Sequence, residues 1–396
     1  MSEAGTINIG EDDETLSTTE PEIKGNTYGL YIQSGDVNFY DGVLKGKTDG
    51  YYGTIKTLKD GTLIKKEQET IENENYNIEY LIVQPNFCKV GEKEYNSLQK
   101  AINAIESEGT VELIAGNNSQ INIEIPETKT ITIDLAGYTF TTTATITNNG
   151  ILKIIDSSES KTGTISTSNN INLILNKKDL VIEGGTYLKT ESTQDNYVIN
   201  TPNDSKSSVT IENAKIRSSA GGVYSGLNSG TMKLINSEIE TTAIGYYAYG
   251  NKIEIEGSKI TSKNGIGLGI QSSTGTVKNT KVETENTTAL SGPYANVTIE
   301  NCNIKGTRGI EGLSGKIIGG TVEGTTEYGI NVQTGNTLEI VEANVKGKTN
   351  GIYSTRYCGY YGCDSGGVLT INGGEITGEE NGIRNAGTLN ITEQKD

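Results

Sequence analysis

The stretch EGTTEYGINVQTGN, residues 323–336, contains a glycine followed by an apolar residue, Gly329-Ile330, and such pairs recur along the chain. Most successive pairs are 20 to 24 residues apart, and one interval is 31 residues. A loosely kept period of this length is typical of a repeat architecture. The equivalent pairs are Gly222-Val223, Gly245-Tyr246, Gly265-Ile266, Ala289-Leu290, Gly309-Ile310, Gly351-Ile352 and Gly382-Ile383, with Gly29-Leu30 and Gly50-Tyr51 nearer the N-terminus.

A second set of small residues recurs with the same period as these pairs. In units such as TIENAKI and LTINGGEI, two short apolar runs surround one tight turn, and the runs alternate with a period of two, as at Val297 and Ile299. Asn and Gly enter the left-handed backbone region at the lowest cost, so they suit the turn. The turn positions are Asn213, Asn236, Gly257, Asn279, Asn301, Gly319, Ala343 and Gly373.

These patterns predict an all-β parallel solenoid, in which each turn stacks on the previous one at about 4.8 Å. We expect the glycine of each pair to permit a sharp corner and the next residue to enter the interior. The composition agrees, because 50 glycines and only 33% hydrophobic residues suit a narrow core with much exterior. No apolar run is long enough for a transmembrane helix, and the N-terminus MSEAGTINIG lacks a signal-peptide pattern.

The period breaks between two arrays of repeats. We predict closing turns of an upstream module over residues 1–58, a connector over 59–92, and a second module over 93–396. One helix is predicted near residues 97–106 as an N-terminal cap, because Leu98, Ala101, Ile102 and Ile105 form one apolar stripe after a capping Asn96 or Ser97. A helical linker that does not dock on the solenoid is the alternative. Both termini look cut from a longer protein.

The segments YNSLQKAINAI, ITIDLAGYTF, ITNNGILKIIDSS and GGVLTINGGEITGEENGIRNAGTLNI resemble repeat regions of large surface proteins of gut Firmicutes. These proteins belong to the pectin-lyase-like superfamily of right-handed β-helices. The resemblance covers nearly the whole chain. It implies a right-handed parallel β-helix, an extracellular or cell-surface setting, and a role in adhesion or envelope structure.

The superfamily also contains pectate lyases and polygalacturonases, so catalysis has to be considered. The chain has no histidine, which removes the Gly-His-Gly element of polygalacturonases and any Ser-His or Cys-His nucleophile pair. The arginines that would serve as a lyase base, Arg217, Arg308, Arg356 and Arg384, are not in an Arg-x-Pro-x-x-Arg pattern. Paired carboxylates remain open, because spacing across turns is invisible in a sequence. The interpretation at this point is a protein without enzymatic activity and without catalytic residues.

The net charge of −17 argues against nucleic acid as a partner. No cofactor is predicted. Calcium at the acidic run Glu11, Asp12, Asp13 and Glu14 is kept as an alternative to a solvated loop, and no metal-binding residues are assigned. Nothing in this segment predicts insertion into a membrane.

Two of the four cysteines, Cys358 and Cys363, lie five residues apart in the glycine-rich insertion STRYCGYYGCDSGG. This spacing permits a local disulfide. Free thiols are the alternative. Cys302, which follows a turn asparagine, is predicted to be a small packed or surface residue.

Tyrosine is enriched at one repeat position, the residue after each glycine–apolar pair. Exposed rings of this kind could stack on sugars, whereas the alternative is that they only cover a β-face. The candidate glycan-binding residues are Tyr224, Tyr247, Tyr353, Tyr357, Tyr360 and Tyr361.

The sequence therefore predicts a non-enzymatic, elongated surface protein, a spacer or adhesin, whose partner is a host or cell-wall polysaccharide or glycoprotein. The alternatives are a polysaccharide lyase or hydrolase of the pectin-lyase-like fold and a phage tail-fibre or tailspike segment.

Overall fold

The computed structural model describes residues 5–13, 16–119, 122–191, 196–203, 205–227, 230–356, 358–359 and 362–392. Parallel β-strands stacked turn upon turn account for most of the chain, and one helix is present among the described residues. The predicted right-handed parallel β-helix is therefore confirmed, together with its short capping helix.

A first coil precedes the main one and has a separate apolar core. A long antiparallel hairpin follows it and pairs with the strand Val43–Gly46. The strands of the first coil are Thr6–Ile9, Glu22–Gly25, Tyr28–Tyr31, Asp36–Phe39, Val43–Gly46, Asp49–Tyr52 and Thr57–Leu58, and those of the hairpin are Thr62–Ile71 and Glu74–Val83. The proposed module boundaries stay a prediction.

The main coil has three faces, which the chain visits in the order A, C, B in each turn. Face A consists of Cys88–Val90, Lys93–Tyr95, Glu108–Leu113, Thr130–Asp134, Ile151–Ile155, Leu180–Glu183, Val209–Glu212, Thr231–Ile235, Lys252–Glu256, Thr274–Lys278, Thr337–Val341, Val368–Asn372 and Thr388–Thr392. Face C is the 12-stranded sheet of Asn117–Ser119, Thr139–Thr142, Thr164–Thr167, Thr186–Lys189, Lys215–Ser218, Glu238–Thr241, Lys259–Ser262, Lys281–Thr284, Asn303–Gly306, Thr321–Gly324, Asn344–Gly347 and Ile376–Gly378.

Face B carries the glycine–apolar pairs. It consists of Ile123–Ile125, Ile146–Asn148, Ile174–Asn176, Tyr197–Thr201, Gly221–Ser225, Tyr246–Ala248, Leu268–Gly269, Ile330–Val332, Asn350–Ser354 and Asn381–Arg384. Two long strands, Thr288–Glu300 and Arg308–Ile318, run from face B into face A without a break.

The glycines of the repeated pairs are needed for close approach of neighbouring turns, not for a left-handed corner. Gly309 and Gly329 stay outside the left-handed region, but a Cβ on Gly309 would lie 2.2 Å from the carbonyl oxygen of Gly329. The next residue, Ile310, is fully buried as predicted. One predicted pair was out of register: Tyr246 pairs with Leu268, so the equivalent pair is Gly267-Leu268 and not Gly265-Ile266.

The predicted turn column adopts the left-handed conformation at seven of the eight positions named, for example Asn213 at φ 52° and Gly257 at φ 59°. The exception is Ala343, because Glu342 takes the left-handed place at φ 52°. Cys302, which follows the left-handed Asn301, is buried, and this agrees with a packed residue.

The capping helix spans Leu98–Ala104, and Ser97 is its N-cap, since the Ser97 hydroxyl accepts a hydrogen bond from the Lys100 amide at 3.1 Å. Leu98, Ala101 and Ile102 are buried and join the core of the main coil. The helix therefore docks on the solenoid, and the undocked linker is not what the structure shows.

The 31-residue interval contains an antiparallel pair, Cys358–Gly359 with Gly362–Cys363. Cys363 is disulfide-bonded, and the backbone of Cys358 lies directly opposite it. That these two cysteines are bonded to one another stays a prediction.

Candidate active site

The predicted tyrosine column does form a ladder on face B. The rings of Tyr224 and Tyr247 are stacked, with centroids 5.8 Å apart and planes 3° from parallel. The other face of Tyr247 covers Gly269, where an added Cβ would lie 2.3 Å from the ring. Both faces of Tyr247 are thus occupied by protein, so this geometry favours surface cover over face-on stacking with a sugar. Glycan binding by the column stays a prediction.

Tyr353 lies several turns away, in different surroundings. Its ring centroid is 6.2 Å from that of Tyr328, and the Arg384 guanidinium lies 5.4 Å above its ring. The remaining predicted residues, Tyr357, Tyr360 and Tyr361, lie outside the described residues. Among the described residues, Tyr353 is thus a predicted tyrosine that lies beside both Tyr328 and Arg384.

Three titratable side chains near Tyr353, those of Arg308, Glu311 and Tyr328, form with the Asn331 amide what we call the acid–base cluster. The strand register places Glu311 directly beside Asn331, on the next turn. Arg308 and Tyr328 occupy equivalent places on the same two turns, because each lies two residues before the paired residues Ile310 and Ile330. Four polar side chains from two successive turns therefore lie close together, Arg308 and Glu311 partly exposed and Tyr328 and Asn331 buried.

Glu311 is the accessible carboxylate of the cluster. The Thr288 hydroxyl donates a hydrogen bond to its Oε2 at 3.3 Å, and the side-chain amide of Gln333 donates one to its Oε1 at 3.4 Å. Arg308 Nη1 lies 3.8 Å from Oε2. The side chain is still 27% exposed, so a ligand on the outer face can reach a carboxylate whose position is already restrained.

Arg308 bridges two carboxylates loosely. Its Nε is 4.0 Å from Glu327 Oε1, which is beyond hydrogen-bonding distance, and no described atom accepts a hydrogen bond from this nitrogen. A guanidinium binds a carboxylate best through two parallel N–H donors. This Nε is buried, but the Arg308 side chain as a whole is 36% exposed, so an acidic group from outside the protein can reach the guanidinium.

Tyr328 is the buried acid of the cluster, with 7% of its surface exposed. Burial raises the pKa of Tyr328 to about 12, the negative charge of Glu311 adds to the effect, and Arg308 opposes it. The side chains of Asn331 and Arg308 lie near the phenol, and both act to lower its pKa against the effect of burial. Tyr328 is thus protonated at neutral pH and can donate a proton.

This arrangement suits general acid–base chemistry, because it places a buried, protonated phenol next to a partly exposed carboxylate and a partly exposed cation. It contains no histidine and has no local motif, which is why the sequence analysis missed it. Among the described residues, no group of three or more Cys, Asp or Glu side chains is placed to hold a metal ion. Calcium at the acidic run of residues 11–14 stays a prediction, since Glu14 lies outside the described residues.

A second titratable cluster joins the hairpin to the first coil. The Glu79 side chain is fully buried, with Oε1 2.6 Å from Lys66 Nζ, and Asp49 lies next to it. Burial raises the pKa of Glu79 to about 7, the Asp49 carboxylate adds to this, and Lys66 opposes it. The hairpin covers this carboxyl group, so we assign the cluster to stability and not to a binding site.

We expect this cluster to make the hairpin pH-sensitive. The folded pKa of Glu79 is raised from 4.5, so the folded state binds the proton more tightly. The contribution of protonated Glu79 to the free energy of unfolding is complete below about pH 4.5. It is lost as the pH rises through about 7, and its upper limit is about 3 kcal/mol. Hydrogen exchange of the amides of Thr62–Ile71, corrected for intrinsic rates, should show the loss. Glu79→Gln should abolish this slope, and Glu67→Gln, an exposed change on the same hairpin, should retain it.

No protein-family model matches the chain, and no curated protein matches it either. Solved structures of similar fold include three crystal structures of the periplasmic alginate epimerase AlgG. The unmodified protein has a TM-score of 0.43 and 11% identity, over 75% of this chain and 83% of the epimerase chain. A double mutant has a TM-score of 0.48 and 12% identity over 75% and 82%, and a single mutant has 0.46 and 11% over 75% and 83%.

These comparisons correct the predicted function. The sequence analysis concluded that the chain is a non-enzymatic spacer or adhesin, and it set enzymatic activity aside. The comparisons contradict that conclusion, since the structures found are those of an alginate epimerase, and they agree better with the alternative of a carbohydrate-active enzyme. At 11–12% identity the likeness is one of fold, and no residue of the epimerase is transferred to this chain. No helix among the described residues is long and apolar enough to cross a membrane.

Proposed function

We propose that the chain is a carbohydrate-active enzyme that acts on a polysaccharide lying across face B. The observation that carries the proposal is the acid–base cluster, in which a buried, protonated Tyr328 and an accessible Glu311 lie on successive turns. An open strand face admits a long polymer, whereas a small molecule would need an enclosed pocket.

In this proposal Tyr328 is the general acid and Glu311 the general base. Tyr328 gives its proton to the glycosidic oxygen as the carbon–oxygen bond breaks. Glu311 takes a proton in the same reaction, either from the ring carbon next to a sugar carboxylate, which leaves a carbon–carbon double bond, or from an attacking water. Arg308 binds the sugar carboxylate, so we favour elimination on an acidic polysaccharide over hydrolysis.

Asn331 supports the acid. It is buried near the Tyr328 phenol, and its polar side chain acts to lower the pKa of that phenol against the effect of burial. The disulfide at Cys363 supports an exported protein, because disulfides persist in oxidising compartments.

The test is incubation of the protein with alginate, polygalacturonate and a neutral glucan. Elimination would yield new reducing ends together with the ultraviolet absorbance of unsaturated products, whereas hydrolysis would yield reducing ends alone. Proton NMR of the polymer would detect epimerisation without cleavage. The proposal fails if none of these products forms from any of the three polymers.

A further inference from the structure

Tyr294 is the most exposed large hydrophobic side chain among the described residues, at 83%, and it has a left-handed backbone with φ 60°. A bulky residue other than glycine rarely adopts this conformation, and strain of this kind is retained where it has a use. The exposed ring gains little from packing. Neither burial nor local backbone preference therefore explains a tyrosine here.

The ring stands on the turn where the strand Thr288–Glu300 passes from face B to face A. The register with the next strand shifts between Ser291 and Ala295, so an extra segment projects from the coil at this point. The turn is anchored, because the Pro293 carbonyl accepts a hydrogen bond from the Ser272 amide at 2.8 Å. The backbone next to Tyr294 is thus held in place by a hydrogen bond to the preceding turn.

A hollow of about 500 Å³ lies beside the ring, between this turn and residues 333–337. Its polar lining includes Gln333, Thr334 and Asn336. Asn336 holds residues 333–336 in place. Its Oδ1 accepts a hydrogen bond from the backbone amide of Gln333, and its Nδ2 donates one to the Gly312 carbonyl, both at 3.0 Å. This volume is within the range of small-ligand pockets.

The hollow is continuous with the acid–base cluster. Gln333, which lines it, donates a hydrogen bond to Glu311 at 3.4 Å. On the far side, Thr334 donates one to Asp364 at 3.2 Å, and Asp364 belongs to the inserted segment of the 31-residue interval. A polymer that reaches Glu311 and continues past Gln333 would therefore meet the Tyr294 ring.

We propose that Tyr294 and this hollow form a binding subsite for one pyranose unit of the polysaccharide, next to the unit at Glu311. The ring supplies a flat apolar surface for the carbon–hydrogen face of the sugar, and the polar side chains of Gln333 and Thr334 contact its hydroxyls. The subsite deepens the proposed function and rests on it for the identity of the polymer.

The decisive variant is Tyr294→Gly, because glycine accepts the left-handed conformation without strain. We expect a melting temperature at least equal to that of the parent, while KM for long oligosaccharides rises about tenfold and kcat is retained. Tyr294→Phe keeps the ring and should keep the parent KM. Tyr138→Ala removes another exposed tyrosine, 41% accessible, and is the matched control.

Binding is measured separately by saturation-transfer NMR, with oligosaccharides of increasing length prepared from alginate, polygalacturonate and cellulose. This readout tests the subsite even if the parent turns over none of them, so its failure is distinct from failure of the proposed chemistry. Weakened binding confined to Tyr294→Gly and to the longer oligosaccharides supports the subsite. Equal binding by the glycine variant and the parent, or no binding by the parent, overturns it.

Discussion

Glu311→Gln should reduce turnover of the preferred polysaccharide by at least about a hundredfold, with the melting temperature unchanged. The amide retains the shape of the side chain and still reaches Thr288 and Gln333, but it cannot accept a proton. A positioned base contributes about 10²–10⁴-fold to rate, so kcat should fall while KM changes little. Glu254→Gln, a change at a partly exposed glutamate on face A, is the matched control and should behave like the parent.

Tyr328→Phe should cause a loss of similar size, because it removes the proton donor and keeps the ring that packs beside Tyr353. Since burial raises the pKa of Tyr328 to about 12, the phenol stays protonated across the ordinary assay range. The alkaline limb of the pH profile should therefore not report this group below about pH 10. Tyr224→Phe, within the tyrosine ladder, is the matched control. Parent-like kcat in either cluster variant would refute the corresponding assignment.

The double variant Leu98→Asp, Ile102→Asp should destabilise the main coil by about 4–8 kcal/mol and cause aggregation. Both side chains are buried against the first turns, so the change removes two apolar contacts and forces two carboxylates into the core. Release of the helix would also expose strand edges to other chains. Chemical denaturation and light scattering measure the two effects.

Asn103→Asp adds one charge to the exposed side of the same helix and serves as the control. We expect a stability close to that of the parent, because this side chain is in water in the folded state. If the double variant remained soluble with an unchanged unfolding curve, the helix would not seal the coil, despite its contacts with the core.

The site was hidden from the sequence for a geometrical reason. Arg308 and Tyr328 are 20 residues apart and share no motif, yet equivalent positions on successive turns are neighbours. The absence of histidine excluded nucleophile pairs, but acid–base chemistry with tyrosine and glutamate does not need histidine. The sequence showed that tyrosine recurs at one repeat position. It did not show what covers each ring, because that depends on the residue at the same position of the next turn, which is Gly269 in the case of Tyr247.

Two details of the fold also depended on pairing between turns. Gly265-Ile266 and Gly267-Leu268 fit the repeat equally well as sequences, and only the register of Tyr246 with Leu268 separates them. At the turn near residue 342, alignment of the repeats pointed to Ala343, but the structure places Glu342 in the left-handed conformation, with its amide hydrogen-bonded to the next turn.

The sequence by itself determined the coil, its corners, its inward residues and the docked stripe of the capping helix, because each depends on a pattern within one turn that repeats along the chain. Tertiary structure alone decided which side chains meet on face B. It also decided which groups hydrogen-bond to Glu311, how deeply Tyr328 is buried, and where Tyr294 lies. These properties arise between turns, where a one- or two-residue change in register exchanges the neighbours of every outward side chain.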